Sequence, residues 1–90
     1  MATVSTVKKY KKRSEFSDEV KYRRYVESVI TPGVKVRRIN GDWRSVRQGD
    51  TGVVTRVEKD SRYMLQIYAD WDVAGKDVDG GDCGKMELVD

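Results

Sequence analysis

The chain contains no histidine and a single cysteine. Without histidine, catalytic triads that use imidazole as the base are excluded, as are zinc sites of the usual Cys/His kind. One cysteine, Cys83, excludes an intramolecular disulfide and fits a reducing compartment. It lies between Asp82 and Gly84. An acidic neighbour raises a thiol pKa, so Cys83 is not expected to act as a nucleophile. Long apolar runs are missing too. None approaches the roughly 18 residues that span a membrane, and the N-terminus lacks a signal-peptide core. The expectation is an intracellular, cytoplasmic protein that makes no membrane contact. Apolar residues reach only 38% and charged residues 37% of 90 residues, which describes one domain with a small core under a heavily charged surface. No nucleophile–base pair or metal set stands out, so neither an enzyme nor a cofactor is expected.

What is present is charge, unevenly placed. Residues 1–62 hold 16 Lys and Arg against 8 Asp and Glu, whereas residues 63–90 hold 2 against 7. A basic front and an acidic back favour oriented association with an acidic protein or a nucleic acid, or else neutralise each other within the fold. Residues 1–14 concentrate Lys8, Lys9, Lys11, Lys12 and Arg13 around Tyr10, with no strand or helix periodicity. They predict a disordered basic arm, able to follow phosphates or simply to solubilise.

Residues 15–31 predict the one helix. Ser17 is placed to cap it, and Asp18 and Glu19 suit its N-terminal dipole. Tyr22, Tyr25, Val26, Val29 and Ile30 form one apolar stripe. Thr31-Pro32-Gly33 ends it. A barrel is expected over residues 32–90. The first strand, 33–39, alternates Val34 and Val36 against Lys35 and Arg37, then breaks at Arg38-Ile39, which suggests a bulge or the strand end. Asn40-Gly41-Asp42 is turn chemistry, followed by an irregular loop with Trp43, Arg44, Val46, Arg47 and Gln48. A second strand follows Gly49-Asp50-Thr51-Gly52 and runs over 51–58, with Val53, Thr55 and Val57 on one face. Residues 59–62 read as a hairpin loop. The third strand, 63–71, sets Tyr63, Leu65, Ile67, Ala69 and Trp71 inward and Met64, Gln66 and Tyr68 outward. Lys76-Asp77-Val78-Asp79 makes a short edge strand, and residues 86–89 a last one. Five short antiparallel strands and a small core predict a mainly β, SH3-like barrel with an N-terminal helix and a basic arm.

The order Gly33-x-x-Val36-x-Arg38, Asp42-Trp43, Gln48-Gly49, Gly52-x-Val54, Trp71-Asp72 followed by Gly75, then Gly84 and Leu88, resembles the domain shared by Mind-bomb and the large HERC ubiquitin ligases. That domain is an SH3-like barrel; Glu87-Leu88 stands where the family ends on Asp-Leu. The resemblance implies recognition of short segments of other proteins, in ligases whose catalysis lies in separate domains. The strand, basic turn and Gly-x-Val strand over 34–57 are also similar to KOW-type barrels, which implies RNA or protein contacts in transcription or translation.

The candidate partner-binding residues are Trp43, Arg44, Arg47, Arg38, Tyr68 and Asp72. A loop tryptophan has fewer structural roles to fill than Trp71, which shares a strand face with Leu65 and Ile67. Arg37, Arg38, Arg44, Arg47 and Arg56 suit bidentate contact with carboxylate or phosphate, or equally ion pairs with nearby aspartates. For nucleic acid, RNA or DNA, the candidates are Lys8, Lys9, Lys11, Lys12, Arg13, Arg37 and Arg56. The favoured reading is a non-catalytic module that recognises a segment of a protein partner; the alternative is a nucleic-acid-binding barrel.

Overall fold

The structure, a computed structural model, describes Val7–Lys8, residues 10–59 and residues 65–89. Helix α1 spans Glu19–Val29. Its cap is Asp18 and not the expected Ser17: the Asp18 carboxylate accepts from the Lys21 backbone N–H at 2.8 Å. Ser17 instead accepts from the Lys21 ammonium. A carboxylate forms the stronger, charge-assisted bond to an N-terminal amide, so the second of two polar residues holds the cap. The predicted apolar stripe is correct. Tyr22, Val26 and Ile30 are buried, with Tyr25 and Val29 partly covered.

The strands are β1 (Val7–Lys8), β2 (Lys35–Arg38), β3 (Thr51–Lys59), β4 (Leu65–Trp71), β5 (Gly75–Asp82) and β6 (Met86–Val89). They form one antiparallel sheet in the order β1-β6-β2-β3-β4-β5, and a 3-10 turn over Cys83–Lys85 joins β5 to β6. The five expected strands are all present, and together with α1 they make a small SH3-like barrel. The hairpin loop expected at residues 59–62, and Tyr63 and Met64, lie outside the described residues beyond Lys59.

Three strands differ from their sequence pattern in informative ways. β2 does not bulge. Its pairing runs unbroken through Arg37↔Glu87 and Arg38↔Met86. Val36 and Arg38 both face inward, so the alternation that seemed to fail at Arg38 continues with an arginine in a core position. The bulge lies in β3, between Val54 and Arg56. The extra residue there reverses the strand's parity, so Gly52 and Val54 face in before it and Val57 packs on the core after it. Val53, expected on the same face as Val57, is 44% exposed. β5 runs over eight residues, twice the expected length. Its Gly80 and Gly81 are buried because aromatic rings lie directly on their backbone. A Cβ at Gly80 would stand 2.2 Å from Cζ2 of Trp71. β4 alternates as predicted, with Leu65, Ile67, Ala69 and Trp71 buried.

The core joins these strands to α1: Val36, Val54, Leu65, Ile67, Ala69, Trp71, Met86 and Leu88 with Tyr22, Val26 and Ile30. The helix is therefore part of the same hydrophobic unit as the sheet. The expected disordered arm needs correction over its described part. Val7 and Lys8 pair with Val89 and Leu88. Tyr10 stacks on Tyr25 with ring centroids 5.7 Å apart, and Phe16 packs on both Tyr25 and Tyr22. The Lys11 backbone N–H donates to the Tyr25 hydroxyl at 3.0 Å. Aromatic burial outweighs the repulsion of neighbouring cations, which stay in water at the surface.

Candidate functional site

The loop between β2 and β3, residues 39–50, carries three of the six expected partner-binding residues, Trp43, Arg44 and Arg47. It is held from beneath by Arg38, which is only 4% exposed. The Arg38 guanidinium donates to the carbonyls of Gly41 (2.8 Å), Gly80 (2.7 Å) and Asn40 (3.3 Å). Burial lowers its pKa; the negative charges of Asp42, Asp82 and Asp79 work against that shift. Arg38 is thus an internal fastener between the loop and β5, and no partner reaches it. The loop's own bonds complete the frame. Gly49 donates to the Arg38 carbonyl at 2.7 Å, Gly41 to the Gln48 side chain at 2.9 Å, and Gln48 to Asp42 at 2.9 Å.

At the tip, Trp43 and Val46 exchange backbone bonds of 2.7 and 2.9 Å across a two-residue turn. Arg44 there adopts φ +54°. Val46 is fully buried and Trp43 half-buried. The Trp43 ring lies over Gly81, where an added Cβ would come within 3.1 Å of Cγ. Its indole N–H is buried and has no hydrogen-bond partner among the described residues. The Arg44 guanidinium stands 5.4 Å from the ring centroid. Arg44 thus stands beside Trp43, Arg47 follows in the same loop, and both arginines are exposed.

Tyr68 and Asp72 belong to a different part of the barrel. Tyr68, on β4, carries the Arg56 guanidinium 3.9 Å above its ring. Asp72, just past β4, accepts from the Thr51 hydroxyl and ties the ends of β3 and β4 together. Three further arginines of the sheet and loop stand by carboxylates. Arg37 meets Glu87 at 3.1 Å, Arg47 meets Asp42 at 3.9 Å, and Arg56 pairs with Glu58 and with Asp77. The Asp77 carboxyl is held below its ordinary range, first by the Thr55 hydroxyl and then by Arg56. Of the patch, Arg37, Arg47 and Arg56 thus stand by carboxylates, Arg38 is bonded to carbonyls, and Arg44 lies over Trp43. The side chains of Lys8 and Lys9 lie outside the described residues.

Sequence reasoning missed a groove of about 820 Å³ between residues 10–14 and the end of the β2–β6 pair. Tyr10, Tyr22, Ile39 and Met86 line it, and Lys11, Lys12 and Arg13 form one rim. Tyr10 and Phe16, set among lysines and near the tyrosines of α1, were the available signal. Beside the groove, the Tyr10 hydroxyl donates to the Cys83 carbonyl at 3.3 Å, and the Tyr22 hydroxyl lies 3.3 Å from Cys83 Sγ. Burial pushes the Cys83 thiol up from 9.0 to about 11, helped by Asp82 and opposed by the Tyr22 hydroxyl bond. Burial likewise raises Tyr10 and Tyr22. All three groups hold their protons more tightly folded than unfolded. The stability this confers is present below pH 9 and is lost as pH rises toward 11 and beyond. The melting temperature should stay flat from neutral pH to about 9 and then fall. Cys83→Ala should soften the first part of that fall, and native Cys83 should resist alkylation until the protein unfolds.

Strand order, helix and paired charges define the chain as a small SH3-like barrel carrying its helix as part of the fold. Residues 13–89 match the Cul7 family, described as mouse development and cellular proliferation protein Cullin-7. The chain belongs to that family, and the match takes in α1 as well as the barrel. It is also 32% identical over 74 residues to the E3 ubiquitin-protein ligase HERC2 of Homo sapiens, and 31% identical over 74 residues to that of Mus musculus. Each alignment covers 82% of this chain and 2% of the relative's length. No solved structure matches. Of the resemblances seen in the sequence, these matches support the HERC type; they support neither Mind-bomb in particular nor the KOW-type barrels.

Proposed function

We propose that this domain is a non-catalytic interaction module that recognises a segment of a protein partner, inside the cell, for a protein of the ubiquitin-ligase kind. The observation that carries this reading is the family match over residues 13–89, with relatives named E3 ubiquitin-protein ligases. The chemistry agrees. Thiol-based transfer needs an accessible thiolate, whereas the lone Cys83 is 2% exposed with its thiol raised to about 11. Binding RNA or DNA through the barrel needs unpaired cations, whereas Arg37 and Arg56 already meet carboxylates.

The test is selection of the purified 90-residue chain against a displayed library of protein-derived peptides, alongside a single-stranded RNA and a ubiquitin-discharge assay. The expected result is enrichment of a common peptide pattern, no discharge of ubiquitin from a charged conjugating enzyme, and RNA retention that collapses at moderate salt. Enrichment of nothing, together with salt-resistant RNA binding or measurable discharge, overturns the reading.

A further inference from the structure

We propose that the groove beneath residues 10–14 is the docking site for an extended acidic segment of a protein partner bearing one large apolar side chain. This rests on the interaction-module reading above and names the site and the chemistry it would select.

Charge complementarity identifies the occupant. The charged groups lining the groove are Lys11, Lys12, Arg13 and Glu87. Two are already engaged within the fold: Glu87 accepts from Arg37 at 3.1 Å, and Arg13 is paired with Glu19. Among the described residues neither Lys11 nor Lys12 has an ion-pair partner, and both are exposed. What the groove offers is two ammonium groups on one rim. The Lys11 ammonium sits 5.8 Å from the Tyr25 ring centroid, a contact an acidic segment would compete with.

The floor supplies the second half of the selection. Its exposed surface is mainly apolar, and Tyr10, Tyr22, Ile39 and Met86 are among the residues that line it. The wall above it is fixed and not an induced loop. Tyr10 is pinned by its stack on Tyr25 and by its bond to the Cys83 carbonyl, and the Lys12 N–H is held by Glu15 at 2.6 Å. A preformed volume of about 820 Å³ falls within the roughly 300–1,000 Å³ of ordinary ligand sites. It accepts one large side chain and adjoining backbone, with acidic neighbours reaching the lysine rim. A polyphosphate chain would satisfy the lysines and leave the apolar floor unused. A segment with both carboxylates and an apolar anchor uses both.

The experiment is an NMR titration of the isotope-labelled full chain with synthetic probes. The first is a short Glu/Asp-rich peptide with one central Phe, the second the same peptide with Ser for Phe, the third with Gln for every acidic residue. Single-stranded oligouridylate is the fourth. The expected result is that amide shifts for the first peptide concentrate on residues 11–14, Ile39, Met86 and Glu87. Binding should weaken about tenfold or more in the Lys11→Glu, Lys12→Glu variant, and both control peptides should bind at least as poorly. Because both lysines are exposed, circular dichroism of that variant should match the parent.

Equal binding of the Ser control, tighter binding of oligouridylate, or no binding of any peptide overturns the proposal. So do shifts centred on the Trp43–Val46 turn. If the library selection succeeds while any of these appears here, the domain remains an interaction module and only this assignment of its site is lost.

Discussion

Gly80→Ala should lower the melting temperature by roughly 15 °C, or about 3 kcal/mol for a domain of this size. The methyl group would stand 2.2 Å from Trp71 Cζ2 and 2.9 Å from both Trp71 Cε2 and Met86 Cε. Met86 is flexible enough to yield, but Trp71 is not. Its indole N–H donates to the Val78 carbonyl at 2.9 Å, and its opposite flank meets Gly52, where an added Cβ would lie 2.9 Å from Cε3. The ring is gripped between two glycines on β3 and β5, and retreat from one drives it onto the other. Total stability for a chain this long is on the order of 5–13 kcal/mol, so the loss is a large share of it. Thermal denaturation checks the magnitude, and a cycle with Trp71→Phe checks the cause. The smaller ring should make the Gly80→Ala change much cheaper, a strong departure from additivity. Equal costs in both backgrounds would show that the ring is not the obstacle.

Arg38→Met should cost a comparable amount, about 3 kcal/mol, although it keeps most of the side-chain volume. Three carbonyls, those of Asn40, Gly41 and Gly80, would lose their donor at a site nearly closed to water. Arg38→Lys should recover little, because one ammonium cannot reach carbonyls spread across a planar fork. The accompanying signature is local. Amide exchange at Gly41 and Gly49, whose N–H groups bond within the loop frame, should accelerate more than exchange in β4. If Arg38 instead served a partner directly, Arg38→Met would leave the melting temperature unchanged and affect binding alone.

Arg38 also shows where the sequence was legible and where it was not. The helix stripe and the β4 alternation could be read because apolar residues recur at the period of their element. An inward arginine breaks that code. It reads as the end of a strand, when its charge is in fact satisfied by carbonyls supplied from residues 40, 41 and 80. The β3 bulge escaped for a related reason. Val53, Val54 and Val57 are equally apolar, so nothing in their identity says which two share a face once Thr55 is extruded. β5 looked short because glycine and aspartate lack strand propensity. Its length is set by Trp71 and Trp43, rings from elsewhere that need bare backbone beneath them. For the candidate site, the grouping of Trp43, Arg44 and Arg47 was visible from proximity in sequence. The groove was not, because Tyr10 lies in a lysine-rich stretch whose composition predicts disorder, and only contact with Tyr25 and Cys83 orders it.

The pairing of Val7 with Val89 has a consequence for how such a unit is carried. Facing residues in adjacent antiparallel strands lie roughly 5 Å apart. Polypeptide therefore arrives and departs at nearly one point. A host protein that threads this unit between two of its own loop positions needs no gap to span, and its flanking architecture is left undisturbed.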